Sequence, residues 1–304
     1  MNARSISLLY VPDPILDESP ASWLIRVCEF HDVYPNKLFE VFGLPKMVDY
    51  DRALGVDELD VLTQGTKVDK EKIICLSKKF QHIKADSLAE VFLLSCFQDR
   101  GIYRYCAQCL AEDLTPYWRL TWRMTHVYYC AHHRCELLNH CLKCGKALTA
   151  IEKWKRTVED YDPCCACRFC TACGADLSRF SSRAVPLSIG FRRALGLQRT
   201  ITAALIHGHF FVQGIKDALP LRYLPRALLL GGHKDCLGKR HELTAMFPSI
   251  RDFLTGALPI ANDHWGRDDA WETMIRAMRM RFHRQHEEYS SDQHSSDQNY
   301  VLRF

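Results

Sequence analysis

Four paired metal-ligand motifs crowd into residues 106–173: Cys106-x2-Cys109, Cys130-x2-His133, Cys141-x2-Cys144 and Cys170-x2-Cys173. They constrain the fold more tightly than any other feature, because each pair supplies half of a tetrahedral four-donor zinc site. The last two are near copies, Cys141-Leu-Lys-Cys-Gly-Lys-Ala-Leu and Cys170-Thr-Ala-Cys-Gly-Ala-Asp-Leu, with a glycine that permits the tight turn of a zinc knuckle. Together they predict an all-cysteine site of Cys141, Cys144, Cys170 and Cys173. The first two pairs predict a site of Cys106, Cys109, Cys130 and His133. Four ligands close each site, so two structural Zn2+ ions are expected to hold the fold rather than catalyse. The register of the second site has an alternative, since Cys167-x2-Cys170 is also a pair. Gly174 and Leu177 reproduce Gly145 and Leu148, which favours Cys170 and Cys173. His132 is an alternative to His133, and Cys135, Cys164 and Cys165 read as incidental spare thiols.

The metal reading leans on the compartment. The N-terminus has no apolar run long enough for a signal peptide, and no stretch approaches the roughly 20 apolar residues that span a bilayer. A cytoplasmic protein without membrane contact is expected. In that setting fifteen cysteines mean metal before disulfide. Cys28, Cys75, Cys96 and Cys236 lie outside the cluster and are expected to be small buried hydrophobes.

A net charge of +4 does not announce a nucleic-acid partner, but its distribution says more. From Arg179 through Arg240 the basic residues, Arg192, Arg193, Arg199, Arg222 and Arg226 among them, face only Asp217 and Asp235. A second basic cluster follows at Arg276, Arg279, Arg281 and Arg284. Such a run is either a solvated helix face or a surface for phosphate or RNA.

Helical signals surround the cysteines. Ser19 suits an N-cap, Pro20 the first helical position, and Trp23, Val27 and Phe30 recur at helical spacing. A second short helix is predicted over Asn36–Phe42, ended by Gly43, so the pair is compatible with a helix-turn-helix. Residues 46–66 read as a loop; Asp69–Phe80 and Asp86–Cys96 read as helices capped by Asp69 and Asp86. Trp118, Leu120, Trp122 and Met124 alternate with Arg119, Thr121, Arg123 and Thr125, which predicts a half-buried strand, although Trp118 and Trp122 also align at i, i+4 of a helix. Arg119 and Arg123, on the opposite face, are candidate partner or nucleic-acid contacts, as are Arg192, Arg193, Arg199, Arg222 and Arg226. Leu187–Leu197, Thr200–Leu219 and Leu221–Leu230 are expected as successive helices broken near Gly196 and Pro220. Ser249–Leu258 and Asp268–Phe282 follow, and the polar run 285–299 predicts disorder. The fold class expected is mainly α with small β zinc-ribbon modules: an N-terminal helical, helix-turn-helix-like unit (1–100), a double zinc-ribbon unit (101–180), a C-terminal helical unit (181–284) and a tail (285–304).

Three stretches of this sequence carry a family resemblance. They are Glu18-Ser19 followed by Ser22-Trp23-Leu24 and Arg26; Tyr105-Cys106-Ala-Gln-Cys109-Leu-Ala-Glu112-Asp113 with Pro116-Tyr117-Trp-Arg119 and Trp122-Arg123; and Cys130-Ala-His-His133 with Leu137 and Cys141-Leu-Lys-Cys144-Gly145. In order and spacing the chain resembles the TniQ family, which includes TniQ and the N-terminal part of TnsD in transposition systems. The resemblance spans roughly the first 180 residues. It departs from the family in having Ala107, Ala131, Leu142 and Thr171 where knuckles of the family usually carry proline. The resemblance implies a non-catalytic adaptor that selects transposition targets. Such proteins link a target-recognition complex, often a CRISPR effector such as Cascade with its guide RNA and target DNA, to the AAA+ ATPase TnsC and so to the transposase. The chain is short for the DNA-reading extension of TnsD-like selectors, which favours the RNA-guided type. A homodimer is left open.

Two other classes compete. A direct sequence-specific DNA reader would use the N-terminal helix pair or the basic C-terminal helices; Asn36–Phe42 is poor in groove-reading residues, and the basic stretch keeps this reading alive. A zinc-dependent nuclease, suggested by His126, His132, His133 and His140 near the cysteines, would need an open metal position and a general base, whereas the cysteines and one histidine fill both sites and no carboxylate–histidine pairing stands out in the sequence.

Overall fold

The structure is a computed structural model, described here for residues 8–85, 87–95, 100–150, 163–210, 218–224, 233–234 and 240–241. It divides into two compact units, residues 1–81 with 93–184, and residues 82–92 with 185–304.

The first unit is built on α1 (Pro20–Phe30). Its start follows the sequence signals: the Ser19 side chain accepts from the Ser22 N–H at 3.1 Å, with Pro20 at the first helical position. α2 (Pro35–Phe42) stops at Gly43, whose φ of +67° is the left-handed cap that glycine adopts without strain. Residues 46–66 are not the expected loop. They hold α3 (Tyr50–Ala53) and α4 (Val56–Thr63), which bury Tyr50, Leu54, Leu59 and Leu62. α5 (Lys70–Lys78) packs on α4 and begins where expected, with the Asp69 carboxylate accepting from the Glu71 N–H at 2.9 Å. A short α6 (Gln81–Lys84) follows.

The polar residues at the head of α1 are buried rather than surface groups. Glu18 and Ser22 are fully buried; the Arg26 guanidinium donates to Glu18 at 2.6 Å and the Ser22 hydroxyl donates to it at 2.8 Å. Burial raises the Glu18 pKa, with Arg26 opposing it. The Ser22 oxygen accepts from the Trp118 N–H at 2.9 Å, and the Trp118 indole donates to the Cys167 carbonyl at 2.9 Å. This knot ties α1 to the segment before the first hairpin and to the 3-10 turn at Pro163–Arg168. Trp23 and Trp118 are both fully buried in that core.

Four two-residue strands complete the unit: β1 (Ile102–Tyr103) pairs antiparallel with β4 (Leu148–Thr149), and β2 (Tyr129–Cys130) with β3 (Cys135–Glu136). α7 (Ala107–Glu112) lies between β1 and β2. The strand expected over Trp118–Met124 is instead a 3-10 turn at Leu120–Arg123. Trp118, Leu120, Trp122 and Met124 are inside and Arg119 and Thr121 half-buried, as an alternating pattern expects, but Arg123 is fully buried as well, where a half-buried strand would leave it outside.

In the second unit, the two helices expected on either side of Gly196 are one, α8 (Ile189–His207), capped by Ser188 and ended by Gly208 at φ +79°. Phe191, Ala194, Gln198, Ile201 and Leu205 form a buried stripe at helical spacing, which outweighs the roughly 1 kcal/mol that a mid-helix glycine costs. The Thr200 hydroxyl bonds back to the Gly196 carbonyl at 2.9 Å. β5 (His209–Phe210) pairs with β6 (Leu219–Pro220), and β7 (His233–Lys234) with β8 (Arg240–His241). The 3-10 turns Ser87–Phe92 and Leu221–Tyr223 pack together. The helix expected from Asp86 is that first 3-10 turn, and Asp86 itself lies outside the described residues. So do most of 221–230, the segments 249–258 and 268–282, and the tail. Among the described residues no helix is long and apolar enough to cross a membrane.

Candidate metal centres

The eight paired donors converge into two groups, each with all four ligand atoms within 4.8 Å of one another. In the first, Cys106 sits at the N-cap of α7 and Cys109 in its first turn. Cys130 ends β2, and His133 lies in the turn that leads to β3. The reversal is completed by Arg134, a non-glycine residue at φ +50°. The His133 Nδ1 atom lies 3.3 Å from the Cys106 sulfur, 3.3 Å from Cys109 and 3.6 Å from Cys130. The Cys109 and Cys130 sulfurs are 3.6 Å apart. A tetrahedral zinc with Zn–S of about 2.3 Å and Zn–N of about 2.0 Å separates its sulfurs by roughly 3.8 Å, and sulfur from nitrogen by roughly 3.5 Å. The donor set therefore fits one tetrahedral ion.

Contacts with Cys106 and then Cys109 lower the Cys130 thiol, while contacts with Cys106 and then Cys130 raise that of Cys109. Burial lowers the His133 pKa, but the Glu112 carboxylate and then the Cys130 and Cys106 sulfurs outweigh it and bring it to about 9. Three sulfurs and an imidazole in this arrangement are the soft donors that zinc selects.

The second group is built by two copies of one turn. The Cys141 N–H donates to the Lys146 carbonyl and the Gly145 N–H to the Cys141 carbonyl, both at 2.8 Å. The Cys170 N–H donates to Ala175 and the Gly174 N–H to Cys170, again at 2.8 Å. Gly145 and Gly174 have φ of +71° and +69°, so the glycine in each copy is required by the backbone. The sulfurs of Cys141 and Cys173 are 3.7 Å apart and those of Cys144 and Cys170 3.8 Å, matching the same tetrahedron.

Several expectations change. Cys167 is not a ligand of the second group: its sulfur is 3.5 Å from the Ser22 hydroxyl in the α1 knot, and burial pushes its thiol up to about 12. Cys135 stays outside the four donors of the first group, although its sulfur lies 3.6 Å from that of Cys106. Cys28 is buried as expected, but Cys75 is exposed, and Cys96 and Cys236 lie outside the described residues. His132 and His140 are exposed, His126 is buried.

The arginines divide sharply. Arg123 is fully buried and donates to Asp49 and Asp51, so it is a core residue and not a contact surface. Arg119 holds Asp113 through two hydrogen bonds of 2.9 Å and lies against the Tyr117 and Trp122 rings, which leaves it little exposed. Arg192 and Arg199 are exposed two turns apart on α8, and Arg222 is exposed. The backbone of Arg193 is in α8; Arg226 is outside the described residues.

With this geometry in hand, a known family can be set beside part of the first unit. Residues 9–137 match the TniQ family model. The TniQ match begins ahead of the α1 knot, includes all four donors of the first centre and stops before Cys141, so the second centre lies beyond it. It implies a protein of transposition target selection. No curated protein matches the chain.

Proposed function

We propose that this chain is a non-catalytic adaptor for transposon target-site selection. It would link a target-recognition complex, an RNA-guided CRISPR effector such as Cascade with its guide RNA and target DNA, to the AAA+ ATPase TnsC and through it to the transposase. The observation that carries this reading is the TniQ match over residues 9–137. The chemistry of the centres agrees with it. Cys106, Cys109, Cys130 and His133 would hold one structural Zn2+, and Cys141, Cys144, Cys170 and Cys173 a second. Each set fills a tetrahedron and leaves no position for a substrate or an activated water. Residues 1–100, 101–180 and 181–284 would then serve as helical, metal-binding and basic helical stretches of a cytoplasmic adaptor.

A second reading, direct DNA readout, is favoured by the exposed Arg192 and Arg199 on one helix and by Arg222. Two measurements separate the readings. Size-exclusion co-migration of the purified chain with the effector complex and with TnsC is expected for the adaptor; failure to co-migrate with either would remove it. Titration of duplex DNA at varied salt is expected to give weak, sequence-blind, salt-sensitive binding. Tight binding to one sequence at physiological salt would instead establish direct readout.

A further inference from the structure

The last residue of α7 has no structural reason to be acidic. Glu112 stands where the helix exposes its carbonyl oxygens, an end at which a carboxylate is disfavoured by the local dipole. Its side chain is largely exposed. Its neighbour Asp113 is bound to Arg119, whereas Glu112 turns to the hairpin, where its Oε2 lies 2.8 Å from His133 Nε2.

We infer that Glu112 is a positioning residue for the first metal centre, the carboxylate that fixes His133 with Nδ1 toward the three sulfurs. This rests on reading the Cys106, Cys109, Cys130 and His133 group as a metal site. A neutral imidazole carries one ring proton. When Nδ1 faces the metal, that proton sits on Nε2 and needs an acceptor, and Glu112 supplies it. His133 lies in a hairpin turn, where its ring is held between the three sulfurs on the Nδ1 side and Glu112 on the Nε2 side. α7 itself supplies the two sulfurs of Cys106 and Cys109 at its start and the histidine's anchor at its end. One short helix thus sets three of the distances that define the site.

The test is carried out on the full chain loaded with zinc, by competition with a chromophoric chelator. Two ions per chain are expected to leave in separable phases. Glu112→Ala is expected to weaken the first centre about 10- to 100-fold and leave the second unchanged. Glu112→Gln, whose amide oxygen still accepts from Nε2–H, should restore most of the loss. Glu136→Ala, which removes an exposed carboxylate from β3 without touching His133, should match the wild type. Unchanged first-phase affinity in Glu112→Ala would overturn the inference, as would a Glu136→Ala loss of equal size. Should Glu112→Ala not fold, nitrogen-15 NMR of the His133 ring in the wild type decides: metal on Nδ1 with a proton on Nε2 supports the role, and the opposite arrangement removes it. A wild type that binds no ion at these donors would sink the metal reading itself, a result distinct from either.

Discussion

The Arg123 Nε donates to the Asp51 carboxylate at 3.3 Å, between two side chains with essentially no solvent contact. Asp49 accepts from the same guanidinium, and Asp51 also accepts from the Ala21 N–H at 2.9 Å and from the Tyr103 hydroxyl. Asp51 therefore fastens α3 to α1 and β1, and it is held there, together with Asp49, by Arg123. Gly101 leaves the room for it: a Cβ there would stand 2.9 Å from the Arg123 Nε. Arg123→Met would abandon two buried carboxylates, a change that costs about 3–5 kcal/mol when a buried pair is broken on one side. Urea denaturation should register that loss, and a cost below about 1 kcal/mol would show that the trio is not a structural clamp.

Asp51 also makes stability depend on pH in an unusual direction. Burial, then the Asp49 charge, raises its pKa to about 6, with Arg123 opposing them. Between the ordinary carboxylate value of about 4 and this value of about 6, the folded chain binds a proton that the unfolded chain does not. Its contribution is therefore greatest at acidic pH and declines as pH rises toward 6, by up to roughly 3 kcal/mol across that interval. Asp51→Asn removes this dependence. The stability gap between wild type and Asp51→Asn should be wider at pH 4.5 than at pH 7; a gap that widens with rising pH would contradict the assignment.

Much of the site was legible because its signals are local. A Cys-x2-Cys-Gly turn carries its own hydrogen bonds and left-handed glycine, so Cys141–Gly145 and Cys170–Gly174 need no distant partner to be recognised. The start of α1 was equally local, a cap and a proline. The misses are long-range. α3 is a four-residue helix with no period to read, and what holds Asp51 comes from Ala21, Tyr103 and Arg123. Leu120–Arg123 alternates in sequence, but Asp49 and Asp51 draw Arg123 inside from the face the pattern leaves out. Gly196 reads as a break until Phe191, Ile201 and Leu205 are known to share one buried stripe. Spacing alone also cannot tell that Cys167 faces Ser22 while Cys135 reaches Cys106.

Loss of a single donor should separate the two centres. Cys109→Ser and Cys144→Ser are each expected to lower bound zinc from two ions per chain to one, read by elemental analysis. Both should also yield insoluble or protease-sensitive protein, since metal binding and folding are coupled. Cys135→Ser is expected to keep both ions, because the four donors of the first centre are complete without it. Full zinc content and unchanged melting in Cys109→Ser would remove that ligand.

The exposed face of α8 is open to a quantitative check. Arg192 and Arg199 lie seven residues apart, so their side chains emerge on the same side, about 10 Å along the axis. That spacing suits two phosphates of one nucleic-acid strand. If both meet phosphate, Arg192→Ala with Arg199→Ala should weaken duplex binding similarly for every sequence. The slope of log K against log salt should fall by roughly one for each arginine removed. Both positions are exposed on a helix whose core stripe lies on the other residues, so the double variant is expected to fold. A folded double variant with an unaltered salt slope would mean that these charges serve only solvation, and that any nucleic-acid contact lies elsewhere on the chain.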